Sequence, residues 1–290
     1  MSREDQLRWE ARWARPVAVS AFAAGVLLIV SATVFFPEDR KGIRRAPDLL
    51  LSIDEQSGAY LASAILTAVA SLFLLAVFLY LFRAIEARNG GVPHWFVYLV
   101  IGAPVVFALA TVVYSVQAVD IADEFASGSP IRGQAGEDRA NDLSDISPIL
   151  LALQTAGTVA VAFLFVMLPL RARRVGLLTP FMGILGAISG GLVVFQLAGI
   201  SAVVQAFWLG ALGALFLGRW PGGRGPAWES GEAEPWPTAA QRRADLLPPP
   251  PQPPPEQEPE PEQELEPEQE LEPEPVPERP ASRKRRKKKR

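Results

Sequence analysis

Charge falls along this chain in blocks. Five runs contain no Asp, Glu, Lys or Arg: residues 16–37, 56–82, 95–119, 146–170 and 175–218. The hydrocarbon core of a bilayer is ~30 Å thick, and a helix rising ~1.5 Å per residue needs about 20 apolar residues to cross it. Each of the first four runs is one crossing long. The fifth is roughly twice that, and Leu197-Ala198-Gly199-Ile200-Ser201 is the place to divide it, because glycine weakens a helix. Backbone polar groups in lipid must be satisfied within the segment, so the crossings are helical. The pattern predicts an all-α, polytopic transmembrane helix bundle. Its six spans lie near 16–36, 58–82, 95–119, 147–170, 178–198 and 202–218.

The flanks orient the bundle. With the N-terminal segment 1–15 inside, the inner segments carry eleven basic residues: Arg3, Arg8, Arg12, Arg15, Arg83, Arg88, Arg171, Arg173, Arg174, Arg219 and Arg224. The outer loops carry six, namely Arg40, Lys41, Arg44, Arg45, Arg132 and Arg139. Lys/Arg excess marks the cytoplasmic side, so both termini are expected there. The first outer loop is the weak point of this count. Trp9, Trp13, Trp95 and Trp220 fall at inner ends, where indole rings favour the interface. Val30-Ser31-Ala32 resembles a weak signal-peptidase site, and cleavage there would leave five spans. The run is longer than a usual signal core, so retention is the expectation.

Within the apolar layer no span carries an ionisable group at depth, which disfavours proton relays and ion-coupled pumps. Polar residues are placed unevenly. Gln56, Gln117, Gln154, Gln196 and Gln205 all fall toward the outer half, with Thr155, Thr158 and Ser201 at similar depth. One reading is a polar vestibule open to the outside. The commoner one is amides bonding between helices, each bond being worth only ~0.6–2 kcal/mol. Gly186 and Gly190 form a GxxxG pair in the fifth span, and Gly210 with Ala214 a small-xxx-small pair in the sixth. Small residues allow close backbone approach, so these spans are expected to pack against each other; a dimer face is the alternative. Pro104 is expected to kink the third span.

Outside the spans, residues 37–57 mix charge with Leu49, Leu50, Leu51 and Ile53 and read as an amphipathic surface segment. Residues 120–147 are acidic. Clustered carboxylates suggest calcium, but no EF-hand spacing is present, so solvated helix ends are the better reading. The juxtamembrane segment 219–247 spaces Trp220, Trp228 and Trp236 eight apart, which favours docking over a free chain. Residues 248–290 form a Pro/Glu-rich stretch with almost nothing to bury, expected to be disordered and extended. It ends in Arg283, Lys284, Arg285, Arg286, Lys287, Lys288, Lys289 and Arg290. An anionic lipid surface is the first partner for that block, at about 1 kcal/mol per charge, and nucleic acid or the ribosome the second.

The chain holds no cysteine and one histidine, His94, so thiol chemistry, disulfides and multi-histidine metal sites have no material. No catalytic set, metal site or cofactor motif is apparent, and the chain does not read as an enzyme. The stretches Arg174–Gly183 and Gln205–Gly210, with Gly218-Arg219-Trp220-Pro221-Gly222-Gly223-Arg224, resemble an uncharacterised family of bacterial six-span membrane proteins over most of residues 1–240. That resemblance implies a bacterial inner-membrane location and carries no activity or site residue. The leading expectation is a non-enzymatic interaction or scaffold protein with a flexible cytoplasmic arm. The alternative is a facilitator or channel for a small neutral solute.

Overall fold

The computed structural model describes residues 2–35, 45–88, 93–129, 132–143, 147–195, 200–221 and 223–236. Every regular element among them is a helix: α1 (Arg3–Val34), α2 (Ala46–Glu55), α3 (Ser57–Arg88), α4 (Phe96–Ser127), α5 (Gly133–Leu143), α6 (Pro148–Arg174), α7 (Pro180–Phe195), α8 (Ile200–Phe216) and α9 (Pro226–Ser230). The Pro/Glu-rich stretch and the basic block 283–290 lie outside the described residues.

Local chemistry sets the helix ends. Ser2 caps α1 by accepting from the Asp5 amide at 3.2 Å, with Glu4 and Asp5 complementing the dipole in the first turn. Thr179 accepts from the Met182 amide at 3.1 Å ahead of Pro180, which suits the first turn of α7. At the C-terminus of α6, Gly176 at φ +81° turns the chain. The Gly176 amide donates to Arg173 and the Leu177 amide to Ala172, satisfying two end carbonyls. Gly218, at φ +71°, ends α8 the same way, with Arg219 donating to Ala214.

Four helices, α1, α3, α4 and α6, are long and apolar enough to cross a membrane. At 27 to 32 residues each they exceed one ~30 Å crossing, so their charged ends project beyond it. Residues 3–15 are helical and continuous with the first apolar run in α1, held by pairs such as Gln6 donating to Glu10. α7 and α8, at 16 and 17 residues, are shorter. α7 ends at Phe195 and α8 begins at Ile200; the division expected at Leu197–Ser201 falls largely on residues 196–199, outside the described residues. The acidic loop contains α5, which covers a small apolar cluster of Leu50, Ile53, Ala122, Phe125 and Ala140 together with α2 and the end of α4.

The six apolar helices close into a ring. α1 packs on α3, α3 on α4, α4 on α6, α6 on α7, α7 on α8, and α8 back on α1. The outside of this ring is apolar: Val19, Val26, Ile65, Leu109, Val159 and Phe207 are all more than half exposed. A surface of that kind is costly in water and at ease in lipid. Charges gather at the two ends, basic where Arg88 and Arg171–Arg174 lie and acidic around α5.

Candidate solute cavity and its sealed base

A cavity of about 470 Å³ lies within the ring, and all six apolar helices line it. Its polar wall is made by Ser31, Thr67, Ser71, Thr111, Gln154 and Thr158, joined on the α8 side by Ser201 and Gln205. Leu28, Leu74, Phe107 and Phe165 make up much of the apolar remainder. Among the described residues no charged side chain lines it. These residues belong to the C-terminal parts of α1 and α7 and the N-terminal parts of α6 and α8. The cavity therefore occupies the half of the ring away from the basic end.

The polar wall is organised by short-range bonds. Ser31 and Thr67 share a 2.6 Å hydroxyl contact across α1 and α3, and Thr67 donates to the Ser63 carbonyl at 2.9 Å. Ser71 donates to the Pro104 carbonyl at 3.0 Å, tying α3 to α4 at the proline turn. Thr158 donates to the Gln154 carbonyl at 2.8 Å, and Gln205 to Ser201 at 2.7 Å. The Gln154 amide meets Thr111 only at 3.4 to 3.5 Å, a weak contact between α4 and α6.

Of the five glutamines singled out from sequence, the fold brings Gln154 and Gln205 to this one cavity. Gln117 does not line it: on α4 it stands six residues from Thr111, about 240° around a helix of ~3.6 residues per turn. Gln56 sits at the C-terminal cap of α2, its backbone N–H donating to the Asp54 carbonyl. Gln196 lies outside the described residues. The hydroxyls Ser31, Thr67, Ser71 and Thr111, which supply much of the polarity, gave no signal in the sequence, since isolated Ser and Thr are ordinary in membrane helices.

Below the cavity the ring is filled. Phe165 stands between Phe78 and Trp208, with ring centroids 5.1 and 5.4 Å away. Trp208 is fully buried and donates to the Met182 carbonyl at 3.0 Å. Toward the basic end Trp9, Tyr80 and Trp228 stack face to face at 5.5 and 5.6 Å. Trp228 belongs to the segment after α8, which folds back into the bundle and donates its indole N–H to Leu177 at 2.9 Å. Beside it lies an ion pair unread from sequence. Arg88 grips Glu10 with two bonds of 2.5 and 2.9 Å, and both side chains are almost wholly buried. Arg88 also donates to the Ala227 carbonyl at 2.7 and 3.0 Å, so one guanidinium joins α1, α3 and α9. Tyr80 completes the group by donating to the Glu10 carbonyl. Each partner lies just beyond an uncharged run, and the pairing spans 78 residues, so the sequence pattern carries no sign of it.

The small-residue pairs separate in use. Gly186 and Gly190 bring α7 against α6: a Cβ on Gly190 would stand 2.6 Å from the Ala162 carbonyl, and one on Gly186 2.5 Å from Pro169. Gly186 also faces Trp208 of α8, which is the closest approach of the fifth and sixth apolar segments at these glycines. Gly210 faces open space along a groove between α1 and α8, and Ala214 is half-buried. Gly213, not singled out from sequence, is the residue that seats Phe22 of α1.

Among the described residues no group of three or more His, Asp or Glu side chains is arranged to hold a metal ion. Around α5, Arg139 donates to the Glu124 and Phe125 carbonyls at the end of α4, and Glu137 pairs with Arg45 at 3.3 Å. No protein-family model matches the chain, and no curated protein or solved structure does.

Proposed function

We propose that this chain is a six-span integral membrane protein that admits a small uncharged solute into the cavity within its helix ring. The observation that carries the proposal is the cavity's lining: hydroxyls and amides from five helices interleaved with apolar side chains, and no charged side chain among the described residues. Such a mixed concave surface is what small-molecule sites have in common. A charged ligand entering a site with no counter-charge loses its hydration without replacement, so a neutral one is favoured. α7 and α8 serve as short spans, at ~24 and ~26 Å, with local thinning of the bilayer making up the difference. The Lys/Arg bias supports an orientation with the basic end in the cytoplasm and the cavity half facing outward, in the inner membrane if the cell is bacterial. The filled base supports binding or gated passage rather than an open channel.

The test is flux or binding in vesicles reconstituted with the full chain. Uptake of glycerol-sized neutral solutes above that of empty vesicles, reduced several-fold by Gln154→Leu, supports the proposal. Uptake and binding both equal to those of protein-free vesicles would overturn it.

A second reading, a membrane-anchored arm that captures partners on the cytoplasmic side, is favoured by one observation. Trp228 and its neighbours fix the start of the tail firmly into the bundle, giving residues beyond it a rigid root. Loss of partner capture on deleting 248–290, with solute handling intact, would support it as a separate activity.

A further inference from the structure

The hydrogen-bond accounting of the cavity wall points to a chemical class of ligand. Six hydroxyls line the cavity: Ser31, Thr67, Ser71, Thr111, Thr158 and Ser201. Each has one hydrogen to give and two lone pairs with which to accept. Thr67, Ser71 and Thr158 each spend that hydrogen on a chain carbonyl. Ser31 spends its own on the Ser63 carbonyl or on Thr67. Ser201 already accepts from Gln205, which uses one of that amide's two hydrogens. Four of these six hydroxyls therefore have their hydrogen committed while oxygen lone pairs remain, and among the described residues no Lys, Arg or His lines the cavity.

We infer that the cavity selects an uncharged molecule rich in hydrogen-bond donors, a polyol being the simplest, which it holds by donation into its hydroxyl and amide oxygens. The apolar residues Leu28, Leu74, Phe107 and Phe165 take the ligand's C–H surface. A donor-bearing ligand bonds to these oxygens as water would, whereas a ligand of equal shape with no donors displaces water without replacing its bonds. A bare monovalent cation is the rival occupant of an oxygen-lined site. It is disfavoured here because no carboxylate among the described residues lines the cavity and apolar side chains interrupt its oxygens. This inference rests on the proposal that the cavity takes a neutral solute.

Saturation-transfer NMR on the full chain in nanodiscs, with erythritol and fully O-methylated erythritol as the probes, tests it. The two share a carbon skeleton and differ in carrying four donors or none. Erythritol is expected to bind at least about ten-fold more tightly, the equivalent of ~1.4 kcal/mol, and Thr158→Val to weaken it by about five-fold, in line with the loss of one hydrogen bond. Thr111→Val provides the second variant should Thr158→Val fail to fold, and is expected to act in the same direction. Equal binding of the two probes would overturn the donor assignment while leaving the solute cavity standing. Binding of neither would overturn the proposed function itself. Displacement of erythritol by sodium or potassium chloride at matched osmolarity would overturn the assignment to an uncharged ligand.

Discussion

The Glu10–Arg88 pair is where single side chains matter most. The two side chains are 3% and 0% exposed, and Arg88 also supplies the bonds that hold the Ala227 carbonyl. Two buried charges are tolerable together because each compensates the other's lost hydration; removing one strands its partner. Arg88→Leu is therefore expected to destabilise the protein by about 3–5 kcal/mol, read as a lowered midpoint of unfolding in detergent. The double substitution Glu10→Leu with Arg88→Met removes both charges at similar volume. It is expected to recover most of that loss, since a buried ion pair replaced by apolar side chains is often neutral. A double variant as unstable as the single one would mean that the bonds to Ala227, rather than the charge compensation, dominate. Burial of the pair was not legible in the chain, because both residues read as ordinary charged flanks until the fold brings α1, α3 and α9 together.

At the level of elements, the parts most legible from sequence are those governed by the solvent. Lipid demands long uncharged helices, and that demand located α1, α3, α4 and α6. Less legible were elements governed by partners. α5 is a polar helix whose few apolar residues, Ala140 among them, take meaning only once α2 and α4 are beside it. The same limit applies to the small-residue stripes: spacing says that a backbone comes close, but not which one. In α7 it is α6. Gly190→Ala would press a methyl to 2.6 Å from the Ala162 carbonyl, whereas Gly191→Ala meets nothing within 4 Å. Overpacking of this sort costs about 1–3 kcal/mol. Thermal unfolding in detergent should show the Gly190→Ala loss and no loss for Gly191→Ala. Equal effects would mean that α7 is turned differently on α6.

On the scale of the whole molecule, the ring has two unlike ends, and its functional proposal depends on which faces which compartment. The absence of cysteine makes this directly measurable, because any introduced thiol is the only one present. A cysteine at Arg12 is expected to resist a membrane-impermeant maleimide applied to intact cells, and one at Gln134 on α5 to react. The opposite pattern would turn the cavity to the cytoplasm. The base of the ring leads to the last expectation. Residues 223–236 behave as part of the bundle: Trp228 packs against both Tyr80 and Phe216, the Glu234 amide donates to Val175, and Arg3 pairs with Glu232. A side chain at Gly176 would meet the Glu234 carbonyl, so the turn after α6 is shaped to let this segment pass. Truncation after residue 239 should leave the unfolding midpoint unchanged, whereas truncation after residue 221 should lower it sharply. Trp228→Ala alone is expected to account for about 3–5 kcal/mol of that difference, the usual cost of emptying a large aromatic site. If both truncations melt alike, the segment only rests on the bundle, and the rigid root that favours the anchored-arm reading is lost with it.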